Sequence, residues 1–390
     1  MQQLPKRLLS VDVLRAVTMF FMIFVNDVGE VKGLPVWVDH AKKWQDALGF
    51  ADIIFPGFLV IVGLSLPFAI NNRVKKGESN KQIITYILTR AAALLIMGLF
   101  HVNMETYSAT AILPKAVWAL TITIAFFLIW LDYPATIAKL TRYSLITLGV
   151  VLLLAMAVVY KGGDDEIPHG MRPSWWGILG IIGWAYLVCA MVYYLAKGNL
   201  STLIICWAVL VIINIIFHTL VSKGRLWVIS DGASAALVMS GVIVSKIYSR
   251  LVELGKTQRI WAIFTAIGAG LIVAGLIIRP YTQGISKIRS TPAWVFICAG
   301  IAILVFEILV YLVDMRGKKD LFSWIRPAGT STLTCYLMPY FQVYLLQLFH
   351  VEYPAFLTIG IVGILRSFAT AFILIWLVGL MEKKHLRLTI

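Results

Sequence analysis

The sequence predicts an all-α, polytopic transmembrane helix bundle of about twelve helices (ten to twelve), with both termini cytoplasmic. Three observations predict it. Of 390 residues, 60% are hydrophobic and 14% charged, against about 45–50% and about 25% in soluble domains. The apolar residues gather in runs close to the ~20 residues that cross a ~30 Å hydrocarbon core. Lys and Arg collect in alternate short loops between those runs, the pattern that marks the cytoplasmic side. This composition excludes a soluble enzyme and a disordered chain. It describes one membrane domain over 1–390, without repeat, linker or low-complexity tract. The net charge of +15, from 34 Lys+Arg against 19 Asp+Glu, reads as a topology signal and not as a nucleic-acid footprint.

The elements follow in order. The first run, 11–28, comes after Lys6 and Arg7 and holds Asp12 and Arg15. No small-residue cleavage site follows it, so it reads as a retained span. The second, 50–70, carries Pro56, which frees a carbonyl and bends the helix; Arg73, Lys75, Lys76 and Lys81 follow on the inner side. The third, 83–101, holds Arg90 and closes on the outer face at His101 and Asn103. Runs 111–130 and 143–160 come next, then an outer loop with Asp164, Asp165 and Glu166. The sixth, 176–196, is flanked by Trp175, Trp176 and Trp184, which suit an interfacial belt. The seventh, 200–220, has Asn214 and His218 one turn apart, a spacing for helix–helix hydrogen bonds. The eighth, 230–247, leads to inner Lys246, Arg250, Lys256 and Arg259, and the ninth is 261–279. The tenth, 293–313, contains Glu307 and precedes inner Arg316, Lys318, Lys319 and Arg326. The eleventh is 328–349; the twelfth, 355–381, contains Arg366 and ends at inner Lys383, Lys384 and Arg387. Glu307 and Arg366 suit interhelical pairing. Cys189, Cys206, Cys298 and Cys335 all lie inside apolar runs without C-x-x-C spacing, so buried thiols are expected, with no disulfide and no metal.

Charges within spans default to pairing or function. Asp12 and Arg15 lie three apart at the inner end of the first helix, with Ser10 as a candidate N-cap. They form either a structural ion pair or, through Arg15, part of an anionic cofactor site. Arg90 carries the same two readings. On the outer side, His40 lies in a polar loop flanked by aromatic residues. An imidazole there is a natural general base for an amine or hydroxyl. His101 and Asn103 either line an acceptor pocket or meet interfacial water.

The run Arg7-Leu8-Leu9-Ser10-Val11-Asp12-Val13-Leu14-Arg15, then Phe24-Val25-Asn26, His40-Ala41, Trp44, Ala51-Asp52 and Phe55-Pro56 resembles the opening of one enzyme family. These are the transmembrane acetyltransferases related to lysosomal heparan-α-glucosaminide N-acetyltransferase, which include many bacterial members. The resemblance implies transfer of an acetyl group from cytoplasmic acetyl-CoA to an amino group or hydroxyl of a sugar across the membrane. By this resemblance His40 and Asn26 are catalytic, His40 as general base or transient acetyl carrier, with Asn26 placed to donate to the oxyanion. Arg15 and Arg90 are the candidates for holding acetyl-CoA; Asp52, His101 and Asn103 are the candidates for the acceptor. Expected partners are acetyl-CoA, an extracytoplasmic saccharide and the lipid bilayer, with a homodimer left open and no nucleic acid. A bacterial cytoplasmic (inner) membrane is the expected location. The chain departs from the family pattern over Ile112-Leu113-Pro114-Lys115-Ala116-Val117-Trp118, where the usual segment carries an arginine that is missing here, and at Thr330, where an asparagine is usual.

Acetyl-CoA is an anion that does not cross lipid, and His40 is expected on the other side. The thioester must then reach through the protein, its pantetheine arm spanning roughly half of the ~30 Å core. Scattered intramembrane polar groups also fit a transporter or flippase of a small amphiphile, or a degenerate acyl-CoA-binding protein, although no internal repeat is present.

The topology is directly testable. In Lys32→Cys the new thiol should react with a membrane-impermeant maleimide added to intact cells or spheroplasts; labelling only after lysis would reverse the orientation.

Overall fold

The computed structural model describes residues 9–163, 167–221 and 226–390. The acidic run Asp164, Asp165 and Glu166, and Lys6 and Arg7, lie outside them. The described residues form α1 (Leu9–Val28), α2 (Phe50–Lys75), α3 (Asn80–Glu105), α4 (Lys115–Trp130), α5 (Lys139–Val158), α6 (Ile178–Leu195), α7 (Leu200–Thr219), α8 (Ala233–Glu253), α9 (Arg259–Ile278), α10 (Pro292–Leu309), α11 (Arg326–Thr330), α12 (Thr332–Leu348) and α13 (Gly360–Lys383). Ten of these are long and apolar enough to cross a membrane. With α4 and α12, of 16 and 17 residues, they make the twelve-helix polytopic bundle that the sequence predicts.

Details differ from expectation for local reasons. The third helix runs to Glu105 and starts from a capping box, in which the Ser79 hydroxyl accepts from the Gln82 amide and the Gln82 side chain accepts from the Ser79 amide. Ser10 lies inside α1; the first described amides, Leu9 and Ser10, instead donate to the Asp314 carboxylate at 3.1 and 3.4 Å. The expected eleventh helix is broken at Ser331 into α11 and α12, since Pro327 starts a short turn that stops before a second helix. The expected twelfth helix starts later, at Gly360, after a 3₁₀ turn over Ala355–Thr358.

Helices α1, α2, α8 and α10 form the buried centre, while α5, α7 and α9 lie at the periphery with most of their surface open to lipid. The centre is held by close backbone approach. A Cβ on Gly63 of α2 would strike the Val238 carbonyl of α8, and one on Gly241 of α8 would strike the Val60 carbonyl of α2. Small residues at such crossings let dispersion forces act where lipid removes the hydrophobic drive. Two charged residues inside the bundle have partners on a neighbouring helix. Glu307 of α10 accepts from the Thr265 hydroxyl of α9 at 2.9 Å, and Arg366 of α13 donates to Asp27 of α1 at 2.7 Å. The four cysteines are free.

Asp12, near the start of α1, and Ile390 line one cavity, so both described ends of the chain lie at one end of the bundle, the near end. The loops 29–49 and 282–291 lie at the far end, joined by Asp46 and Arg279.

The crossing of α2 and α8 leads to a contrast within one helix. Gly63→Val should cost about 1–3 kcal/mol by overpacking and lower the melting temperature in detergent. Gly57→Ala, where an added Cβ meets nothing within 4 Å, should leave it unchanged or raised.

Candidate functional site

The near end opens into a cavity of about 1390 Å³, above the roughly 300–1,000 Å³ of a site for a drug-sized ligand. Its mouth is polar: Asn71, Asn72 and Lys75 from α2, and Lys246, Ser249 and Glu253 from α8. Its deep part is apolar, with Met19 and Met22 of α1, Phe58, Ile61 and Val62 of α2, and Leu94 of α3. At 1.5 Å rise per residue, the α2 lining from Lys75 to Phe58 is about 25 Å long.

Arg15 and Arg90, from different helices, both line this one cavity. Arg15 donates to Asp12 at 3.1 Å, to the Gly329 carbonyl at 3.2 Å and to the Ser65 hydroxyl at 2.6 Å. The ion pair expected from the sequence exists, and it faces the cavity. Arg90 donates to the Tyr86 hydroxyl at 3.0 Å and lies over the Tyr186 ring. The sequence reading missed Tyr248. Its hydroxyl is buried, without a hydrogen-bond partner among the described residues, and belongs to a residue that lines the cavity. A buried polar atom left unsatisfied costs about 1–3 kcal/mol, so this wall suits a ligand that bonds to it.

At the far end His40 projects from the loop 29–49, its side chain 36% exposed and 2.7 Å from the Asp52 carboxylate. Asp52 sits in the first turn of α2, 1% exposed. Its other oxygen accepts from the Ala41 and Gly49 amides, both at 3.0 Å. An ionised carboxylate only accepts, so it fixes the proton on His40 Nδ1 and leaves the lone pair on Nε2. Asp52, expected to bind substrate, is thus buried beneath His40 and orients it. The Asp52 carbonyl in turn accepts from the Trp294 indole of α10 at 3.1 Å.

The other expected site residues lie elsewhere. Asn26 is exposed on α1, and among the described residues no hydrogen bond joins it to His40. The Asn103 amide is spent on the chain around Arg172, donating to its carbonyl at 3.0 Å and accepting from its amide at 2.9 Å. His101 is buried and stacked on Tyr340, ring centroids 4.3 Å apart, with both ring nitrogens unpartnered. It lies outside the cavity lining.

A second loop closes over the first. Asp46 accepts from Arg279 at 2.9 Å and from the Ile285 amide at 2.7 Å. Ser286 donates to the Lys43 carbonyl at 3.3 Å. From the other side Asn214 and His218 of α7 hold the carbonyls of Ser290 and Arg289, at 3.1 and 2.8 Å. This clasp sets Lys287 against His40, its amine 3.4 Å from both ring nitrogens. Lys287 carried no signal in the sequence, being 247 positions from His40 in a loop without a motif.

The far-end site and the cavity face each other along α2. Phe58, the cavity residue nearest Asp52 on that helix, is six positions away, or about 9 Å of helix rise. His40, held by a buried carboxylate, thus stands beyond the apolar part of a long cavity that opens at the near end. Among the described residues no group of His, Cys, Asp and Glu could hold a metal ion.

No protein-family model matches the chain. The chain is similar to heparan-alpha-glucosaminide N-acetyltransferase of Homo sapiens, with 32% identity over 100 residues, and to that of Mus musculus, with 30% over 97 residues. The matches cover 26% and 25% of this chain and 14% of the length of each relative. The similarity supports a relationship to that family over about a quarter of the chain.

The clasp is pH-sensitive in a defined direction. Burial raises the Asp46 carboxyl, but the Ile285 amide and the Arg279 guanidinium outweigh it and hold the carboxyl below its usual range. Its contribution is therefore complete above about pH 4, the unfolded value, and lost as pH falls through the lower folded value. Hydrogen exchange at the Ile285 amide, corrected for intrinsic rates, should be flat from pH 5 to 8 and rise only in acid. In Asp46→Ala the amide should be unprotected at every pH.

Proposed function

We propose that this integral membrane protein is an acetyltransferase. It takes acetyl-CoA from the cytoplasm into the near-end cavity and passes the acetyl group to an amino group or hydroxyl of a saccharide at the far end. The observation that carries this reading is one cavity, lined by Arg15 and Arg90, whose apolar end stops about two helical turns from Asp52 and His40. The partial similarity to an N-acetyltransferase supports the same chemistry.

In this reading the phosphates of acetyl-CoA meet the basic mouth, where Lys75 and Lys246 join the two arginines, and guanidinium groups suit phosphate oxygens by charge-assisted hydrogen bonds. The pantetheine arm lies along the apolar wall of α1 and α2. The thioester reaches past Phe58 toward His40. The Nε2 lone pair takes the proton of the acceptor as its nitrogen or oxygen attacks the thioester carbonyl. The C–S bond then breaks, and the sulfur leaves with that proton. Asp52 balances the positive charge on the imidazole during the step. Direct transfer and a transient acetyl-histidine both satisfy this arrangement. Asn26 and His101 take no part in the arrangement described, and Asn103 serves the outer loops.

The test separates the two ends. His40→Ala should lower sugar-dependent CoA release by about 10²–10⁴-fold while acetyl-CoA affinity is kept. Arg15→Ala or Arg90→Ala should weaken acetyl-CoA binding in a protein that still assembles. Normal turnover in His40→Ala, or full CoA affinity in both arginine variants, would sink the reading in favour of a transporter.

A further inference from the structure

At the far end a cation stands directly against His40 that the proposed reaction has not yet used. Lys287 is equidistant from Nδ1 and Nε2 of His40, at 3.4 Å from each. In the plane of the ring, such a position would collide with the carbon between the two nitrogens. The amine therefore stands over the ring and leaves the Nε2 lone pair open. Arg279 is engaged with Asp46, the amides of Ala41 and Gly49 with Asp52, and the His40 amide with Asp39, while Arg289 donates to Gln283 and lies over the Trp44 ring, its buried Nε alone unpartnered among the described residues.

The position is built. Gly284 has φ +77°, and the Asp46 carboxyl carbon stands 2.6 Å from where a Cβ would lie, so the turn before Lys287 is made for contact with the loop that carries His40. The hydrogen bonds from Asp46, Ser286, Asn214 and His218 fix the segment from both sides. Burial lowers the Lys287 ammonium from its usual range, and the Asp52 carboxylate pulls it back upward. A partly desolvated cation fixed before the reaction stabilises charge as it develops more strongly than one in water.

Resting on the acetyltransferase reading, we propose that Lys287 is a catalytic residue that holds the oxyanion formed on the acetyl carbonyl. As the acceptor attacks, the carbonyl π pair moves to oxygen, where an Nζ–H of Lys287 receives it. The acceptor proton goes to Nε2. On collapse the pair returns to the carbon–oxygen bond, the C–S bond breaks, and the sulfur takes the proton from Nε2. An atom bonded to a carbon beside Nε2 is within reach of an amine 3.4 Å from that nitrogen. The negative oxygen then faces Lys287 while the positive imidazole faces Asp52. Each developing charge has its own partner, and Lys287 supplies the donor that Asn26, exposed on α1, does not bring to His40.

The experiment uses the full-length protein with acetyl-CoA and a panel of amino sugars, and reads sugar-dependent CoA release. Lys287→Met should lower kcat by about 10²–10³-fold, the cost of one oxyanion donor, with acetyl-CoA affinity and melting temperature kept. Lys287→Arg should recover at least a tenth of the wild-type rate, since it keeps the charge. If the Met variant does not assemble, Lys287→Gln is expected to show at least a tenfold loss in its place. The double variant His40→Ala, Lys287→Met decides between direct contact and action through histidine. It should be slower than His40→Ala alone by at least fivefold. Equal rates, or a normal kcat in Lys287→Met, would overturn the proposal while leaving the acetyltransferase reading intact. Wild-type protein that releases no CoA with any sugar would overturn both.

Discussion

Asp52 is a carboxylate taken out of water at the first turn of a helix, and the far end of the molecule is assembled around it. Burying an ionised group is tolerated only when its oxygens are fully engaged. Here one oxygen takes the His40 ring and the other takes two backbone amides, one from each end of the segment 41–49. Its own peptide carbonyl takes Trp294 at the start of α10. The same residue thus shapes the loop that carries His40, fixes the tautomer of its ring and ties α2 to α10. The position near a helix N-terminus adds the favourable end of the helix dipole.

From that residue α2 runs the full depth of the bundle. Its first turn holds His40, its middle gives Ser65 to Arg15, and its last turns form the wall of the cavity mouth. The glycine crossing with α8 fixes this helix at its centre. A lever held at its middle keeps both ends in register, so the geometry of each site depends on packing that neither contains. The peripheral helices each pack chiefly on one partner, α5 on α4 and α9 on α10, where Gly268 and Gly300 make a close approach of their own.

What could be read from the sequence was what local pattern encodes. Run length and the Lys/Arg loops carried the twelve helices, because hydropathy acts over a span of about 20 residues. His40 and Asp52 fall in one ordered segment of similarity, and Arg15 and Arg90 are costly charges within spans. The remainder depends on chain segments far apart in sequence. Asp314 caps α1 from 305 positions away, Lys287 meets His40 from 247, and Arg172 occupies Asn103 from 69. Nothing in the residues around Asn103 says that its amide is already bonded. Ser331 broke an apolar run that periodicity alone reads as continuous, because the proline at 327 sets a short helix whose last residue cannot be seen in hydropathy.

The interval between Phe58 and Asp52 has an electrical meaning. Ile54, Phe55 and Pro56 within it are all buried, so this stretch of α2 is packed with hydrocarbon. An elementary charge moved through a membrane potential gains or loses about 2.3 kcal/mol per 100 mV, and a wetted channel here would discharge the membrane. The proposed reaction exchanges an acetyl group for a hydrogen. The charge on CoA on one side and on the acceptor on the other is the same before and after. Voltage therefore does no work on the net exchange, and in that proposed reaction the bundle would pass a chemical group while remaining an insulator.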